Sequence, residues 1–149
     1  MKKQVAMAFT LLTLMVTLAV ISVTAQTSSQ FMRITIPFEF AIRDKTFPRG
    51  EYIVKRRDSA RPEMLLISSV DGRSAAYVLT NNVQAKTRQS ERKLVFHQYG
   101  DQYFLSQIWT DGGSAGREVP KSGRERALDR ELAKNTVERQ TVTLVAHRR

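Results

Sequence analysis

His97 is the residue whose type and setting could most readily do chemistry. It lies between Val95 and Tyr99, with Asp101 and Tyr103 close behind. Imidazole is the one side chain that titrates near neutral pH without help from its surroundings. Two functional settings suit it. One is an enzyme of unrecognised type, with Asp101 or Tyr103 as its partner. The other is the mouth of a small barrel, where His97, Tyr99, Phe104 and Ile108 would line a site for a small apolar ligand. The competing expectation is structural: a histidine packed against aromatic rings, with a ring nitrogen hydrogen-bonded to a neighbour. The second histidine, His147, sits in a basic tail beside Arg148 and Arg149.

Other chemistries lack their residues. The chain has no cysteine, which removes disulfides, thiolate metal sites and cysteine nucleophiles together. Two histidines and scattered carboxylates give no metal-ligand spacing, and the loop at Asp111 lacks the acidic alternation of a calcium loop. Gly113-Ser114-Ala115-Gly116 does not have the spacing or the strand-to-helix setting of a nucleophile elbow. Glu39 and Glu51 lie on strands expected to be neighbours, yet Glu39 alternates with Phe38 and Phe40 and reads as a solvated outer residue. No phosphate-cradling glycine loop is present. The sequence therefore reads as non-catalytic, with no cofactor and no metal.

Charge gives the remaining signal. There are 24 basic and 14 acidic residues, a net of +10. Lys55, Arg56 and Arg57 form one basic cluster, and Lys86, Arg88 and Arg92 form another. Either would suit an anionic polymer, a lipid surface or nucleic acid, with affinity that falls as salt rises. Neither cluster carries the interleaved aromatics that base stacking needs.

Holding His97 in place requires strands. From Ile34 to Ile42 every second residue is apolar: Ile34, Ile36, Phe38, Phe40, Ile42. Period two of that length is a strand with one buried face, at an edge or bulged where Pro37 falls. Lys93 to Tyr99 and Gln102 to Thr110 flank Gly100-Asp101, a type II′ hairpin signal with His97 opposite Phe104. Both faces of that hairpin carry apolar mass, so it should be covered on two sides. Asp71-Gly72 predicts a two-residue type I′ turn between Met64–Val70 and Arg73–Thr80. Asn81 to Arg92 is polar and reads as a loop, as does Asp111 to Gly116. Ser122 followed by Glu125 is a capping-box signature opening a helix over about 122–134. A last strand runs from Thr141 to Ala146.

The expected fold is mainly β: an antiparallel sandwich or small open barrel of about seven strands, with one helix before the last strand. Residues 33–149 form its single domain. Residues 1–25 read as a secretory signal peptide, with Lys2-Lys3, an apolar run from Val5 to Ile21 and Val23-Thr24-Ala25 before the cleavage point. Residues 26–32 are a short linker. Removing the leader takes Lys2 and Lys3 with it and leaves +8. An uncleaved leader would instead be an N-terminal membrane anchor.

Four stretches carry a resemblance: Pro37-Phe38-Glu39-Phe40; Phe47-Pro48-Arg49-Gly50-Glu51-Tyr52-Ile53-Val54; Lys93 to Leu105 with Ile108-Trp109; and Pro120-Lys121-Ser122. Together, over residues 37 to about 134, they resemble a group of small exported bacterial proteins with a signal peptide and a β-rich body. The resemblance implies export and β architecture. That group has no assigned activity, so no catalytic residue carries over. The function expected is an exported binding or interaction module, located in the periplasm or outside the cell. An anchor to an anionic surface and a His97-centred enzyme are the alternatives.

Overall fold

The computed structural model describes residues 31–57, 60–110, 113–134 and 139–146. The expected leader and the tail at His147 lie outside the described residues. Alternating burial runs from Met32 to Phe40, where the sequence predicts it from Ile34 to Ile42; Ala41 is buried too, under the helix, and the run spans two strands rather than one. Pro37 has no N–H to give a ladder. So β1 (Phe31–Ile36) stops there, and β2 (Phe40–Ile42) restarts in a different sheet. Phe38, in the crossing, stacks on Tyr103 with ring centroids 4.0 Å apart and meets Phe96 edge-on. The proline thus turns one amphipathic run into a stitch between two layers.

The chain continues through β3 (Lys45–Phe47), β4 (Gly50–Arg56), β5 (Met64–Ser69), β6 (Ala75–Leu79), β7 (Asn81–Gln84), β8 (Lys93–Tyr99), β9 (Gln102–Trp109), β10 (Ala115–Glu118), α1 (Gly123–Lys134) and β11 (Gln140–Val145). One sheet has the antiparallel order β1-β4-β5-β6. The other runs β11-β8-β9-β10-β7. The far edge of β9 is shared: β10 pairs at Gln107 and Ile108, while β2 pairs in parallel at Phe104 and carries β3 on its other side. Among the described residues the result is a mainly β sandwich with no closed barrel and a helix before the last strand.

There are more strands than the sequence suggests, for two reasons besides the break at Pro37. The turn at Arg43-Asp44 separates β2 from β3. β7 and β10 are short and polar, β7 inside a segment that reads as a loop and β10 beginning in another; they become strands by pairing with each other, Asn82 opposite Arg117 and Gln84 opposite Ala115.

Between the sheets lies the main core, with Met32, Ile36, Tyr52, Val54 and Ile67 from one layer and Leu94, Phe96, Leu105 and Ile108 from the other. A second cluster forms on the opposite face of the larger sheet. There Ala41, Tyr99 and Phe104 are covered by Leu128 and Leu132 of α1. The β8–β9 hairpin is therefore covered on both sides, as its composition requires.

Its turn also has the expected form, with a positive φ at Gly100 and none at Asp101. Tyr99 faces Gln102 and His97 faces Phe104. Beyond that a bulge between Val95 and Phe96 shifts the register, so Leu94 faces Ile108. Ile108 consequently joins the inter-sheet core, and it does not share a face with His97 as plain alternation implies.

The β5–β6 turn is longer than two residues. The Ser69 amide bonds the Ser74 carbonyl at 2.8 Å, leaving Val70 to Arg73 as a four-residue loop. Asp71 holds it by accepting from Ser69 Oγ at 2.5 Å and from the Arg73 amide at 3.1 Å, with Gly72 at φ +74°. Asx side-chain bonding of this kind outcompetes the tighter type I′ turn. Among the described residues no helix is long and apolar enough to cross a membrane.

Candidate functional site

His97 stands at the centre of a polar cluster between the larger sheet and α1. Three elements build it. β8 supplies His97 and Tyr99, and β9 supplies Ser106 two residues beyond Phe104. α1 supplies Glu125 and Asp129, while Lys121 just before it and Arg139 just after the described helix close the outer side.

Ser122 caps the helix as its spacing predicts, accepting the Glu125 amide at 3.0 Å on Oγ. The reciprocal half of the capping box is absent. The Glu125 carboxylate turns into the sheet, with Oε1 2.7 Å from His97 Nδ1, and the residue is 3% exposed. A carboxylate there can only accept, so Nδ1 carries a proton. Nε2 lies 2.9 Å from Ser106 Oγ, and Ser106 is likewise buried. With Nδ1 donating to Glu125, Nε2 accepts a hydrogen bond from the Ser106 hydroxyl.

A second set of contacts extends outward. The Tyr99 hydroxyl donates to Asp129 Oδ1 at 3.0 Å and lies 3.4 Å from Glu125 Oε1. Asp129 also accepts from Lys121 Nζ at 2.6 Å and from Arg139 Nη1 at 3.0 Å. Lys121, by its hydrogen bond and charge, draws the Asp129 carboxyl down to about 2. Burial, then the bond to Asp129, pushes the Tyr99 phenol above its ordinary range. Two acidic side chains, Glu125 and Asp129, and two cations, Lys121 and Arg139, thus surround the His97–Tyr99 pair.

The order Ser106–His97–Glu125 is that of a nucleophile, base and orienting carboxylate. Its surroundings differ from those of a reactive site. Ser106 is 3% exposed, and the depression nearest the hairpin tip is lined by Glu39, Ala41, Thr46, Asp101, Gln102 and Arg124 among others. That depression is shallow, with about 50 Å³ of room, enough for a few waters and well short of a ligand pocket.

The residues singled out from sequence scatter. His97, Tyr99 and Phe104 share the face under α1, so the helix stands where a barrel mouth was expected; Ile108 is on the other side of the sheet. Asp101 and Tyr103 do not partner His97: Asp101 is exposed in the turn, and Tyr103 packs on Phe38. Glu51 pairs with Arg33 at 3.6 Å rather than meeting Glu39.

The first basic cluster is divided by strand alternation. Lys55 and Arg57 lie on the outer face, whereas Arg56 turns inward with its Nε enclosed and without a hydrogen-bond partner among the described residues. Lys86, Arg88 and Arg92 are exposed on the β7–β8 connection of the other sheet. Among the described residues no cluster of three histidines, cysteines or acids could hold a metal ion.

The outer face of the four-stranded sheet is the second place of interest, and the sequence reading passed over it. Tyr77 and Leu79 of β6 are 57% and 53% exposed. The register puts Lys55, Leu66 and Tyr77 in one row and Met64 beside Leu79 in the next. The Arg57 guanidinium lies over the Tyr77 ring, 4.8 Å from its centroid. The sequence signal was there, an apolar residue at every position of Ala75–Leu79, and it marks a strand with both faces apolar although only one meets the core. Comparison with family models, with curated proteins and with solved structures finds no match for the chain.

Proposed function

We propose that this chain is an exported, non-catalytic interaction module whose working surface is the outer face of the four-stranded sheet. One observation carries the reading: large apolar side chains, Tyr77 and Leu79, stand exposed on an edge strand and are flanked by Arg57 and Lys55. Exposed apolar groups in a contiguous strip with a charged rim are the mark of a surface that meets something.

The polar cluster under α1 serves as a latch that fixes the helix to the sheet. Support for a structural role comes from its own geometry. The helix that covers this face also carries Glu125, so lifting it to admit a substrate would dismantle the relay. Export rests on the tripartite leader before Gln26.

Benzoylphenylalanine placed at Tyr77 tests the surface. Photolysis in the expressing bacterium should give a discrete envelope adduct, and the same probe at Arg130 on α1 should give none; equal labelling from both positions, or none from either, contradicts the reading. Mass spectrometry of the mature form should find a chain starting at Gln26. Intact Met1 on cytoplasmic material would remove the export half.

A further inference from the structure

The edge of the four-stranded sheet is open in a specific register. The Ser69–Ser74 and Glu63–Thr80 hydrogen bonds bracket the β5–β6 ladder. Antiparallel pairs alternate, so Ile67–Ala76 and Leu65–Val78 are the bonded pairs between them. Ala75, Tyr77 and Leu79 therefore turn their backbone groups away from β5. The Ala75 carbonyl accepts Lys45 Nζ at 3.0 Å, which leaves the N–H and C=O of Tyr77 and the N–H of Leu79 directed outward along the edge.

Natural edge strands are blunted by charge, proline or a bulge. β6 reads Ala-Ala-Tyr-Val-Leu and carries none of these in its own sequence; among the described residues the one charge on its edge is Lys45, at the Ala75 end, and the Tyr77–Leu79 end has none. Among the described residues no strand pairs its outer side.

We infer that β6 receives an extended, acidic segment of a partner protein, which adds to the sheet as a further strand. This rests on the module reading above and gives it a partner class. Main-chain bonds to Tyr77 and Leu79 would supply register, and alternate apolar residues of the partner would lie on the same face as the Tyr77 and Leu79 side chains. Charge selects the partner. Lys45, Lys55 and Arg57 surround the strip, and the chain without its leader carries +8. A second copy paired edge to edge would bring two such sets of cations together, which favours an acidic strand over self-association.

Acetylated peptides alternating valine with glutamate, or valine with lysine, provide the test, read by amide hydrogen exchange. The acidic peptide should bind at low salt and slow the Tyr77 and Leu79 amides about tenfold, with Ala76 and Val78 unchanged. The basic peptide should do neither. Tyr77→Pro removes one outward donor without touching the β5 ladder, and should abolish binding while circular dichroism stays native.

Binding without protection at Tyr77 and Leu79 overturns the inference, as does equal binding of both peptides. So does concentration-dependent protection without peptide, the sign of a second copy, or exclusive capture by phosphatidylglycerol-rich vesicles. If neither peptide binds while cross-linking from Tyr77 persists, strand addition is wrong and the module reading stands. Loss of the cross-link with peptide pairing intact overturns the module reading instead.

Discussion

His97 has both ring nitrogens engaged, and the cost of breaking either bond is set by what is left behind. Glu125→Ala removes the carboxylate from a buried pair, and should lower unfolding stability by about 3 kcal/mol. Ser106→Ala leaves Nε2 with no hydroxyl and should cost about 1 kcal/mol. Urea denaturation measures both, and a His97/Glu125 double-mutant cycle should show strong coupling.

Asp129 gives the cluster an acid limb. Its folded pKa is held at about 2, below its unfolded value, so its stabilisation is in place above about pH 4 and is lost as pH falls toward 2. Tyr99 gives an alkaline limb of opposite sense. Its folded pKa is raised, so its contribution is present below about pH 10 and is lost as pH rises further. Stability measured against pH should show both limbs, with Asp129→Asn flattening the first and Tyr99→Phe the second.

At the scale of elements, two backbone positions are constrained. Gly116 of β10 lies against Trp109, where an added Cβ would come within 2.7 Å of the indole. The ring is 4% exposed and has nowhere to retreat, so Gly116→Ala should destabilise by about 1–3 kcal/mol in the same urea assay. Arg43 takes a positive φ of 57° in the β2–β3 turn. Arg43→Gly removes that strain and should gain about 0.5–1 kcal/mol, seen as a higher melting temperature.

These elements differ in how legible they are. The Gly100-Asp101 turn and the Ser122 cap are visible in sequence because each is settled by a few adjacent residues. The bulge that sends Ile108 into the core, and the pairing that makes strands of Asn81–Gln84 and Ala115–Glu118, are settled by distant chain. Glu125 shows both effects. Its spacing from Ser122 correctly marks the helix start, while its side chain goes to His97, 28 positions away, for reasons no local pattern contains.

For the whole molecule, the two sheets are treated unequally. The larger has its core on one face and α1 on the other; the smaller has its core on one face and, among the described residues, no layer over the other. The mainly β sandwich is legible from alternation alone, because burial of every second residue requires a facing layer. The working surface is not: basic residues adjacent in sequence suggest a cluster at Lys55-Arg56-Arg57, whereas strand geometry divides them and puts Lys55 and Arg57 among apolar neighbours instead.

The free edge of β6 is the feature on which this account turns, and amide exchange of the unliganded full chain examines it directly. Ala76 and Val78 should be protected through their bonds to β5, and Tyr77 and Leu79 should exchange almost as fast as an unfolded chain. Uniform protection along Ala75–Leu79 would mean that the edge is already covered, and would contradict the account.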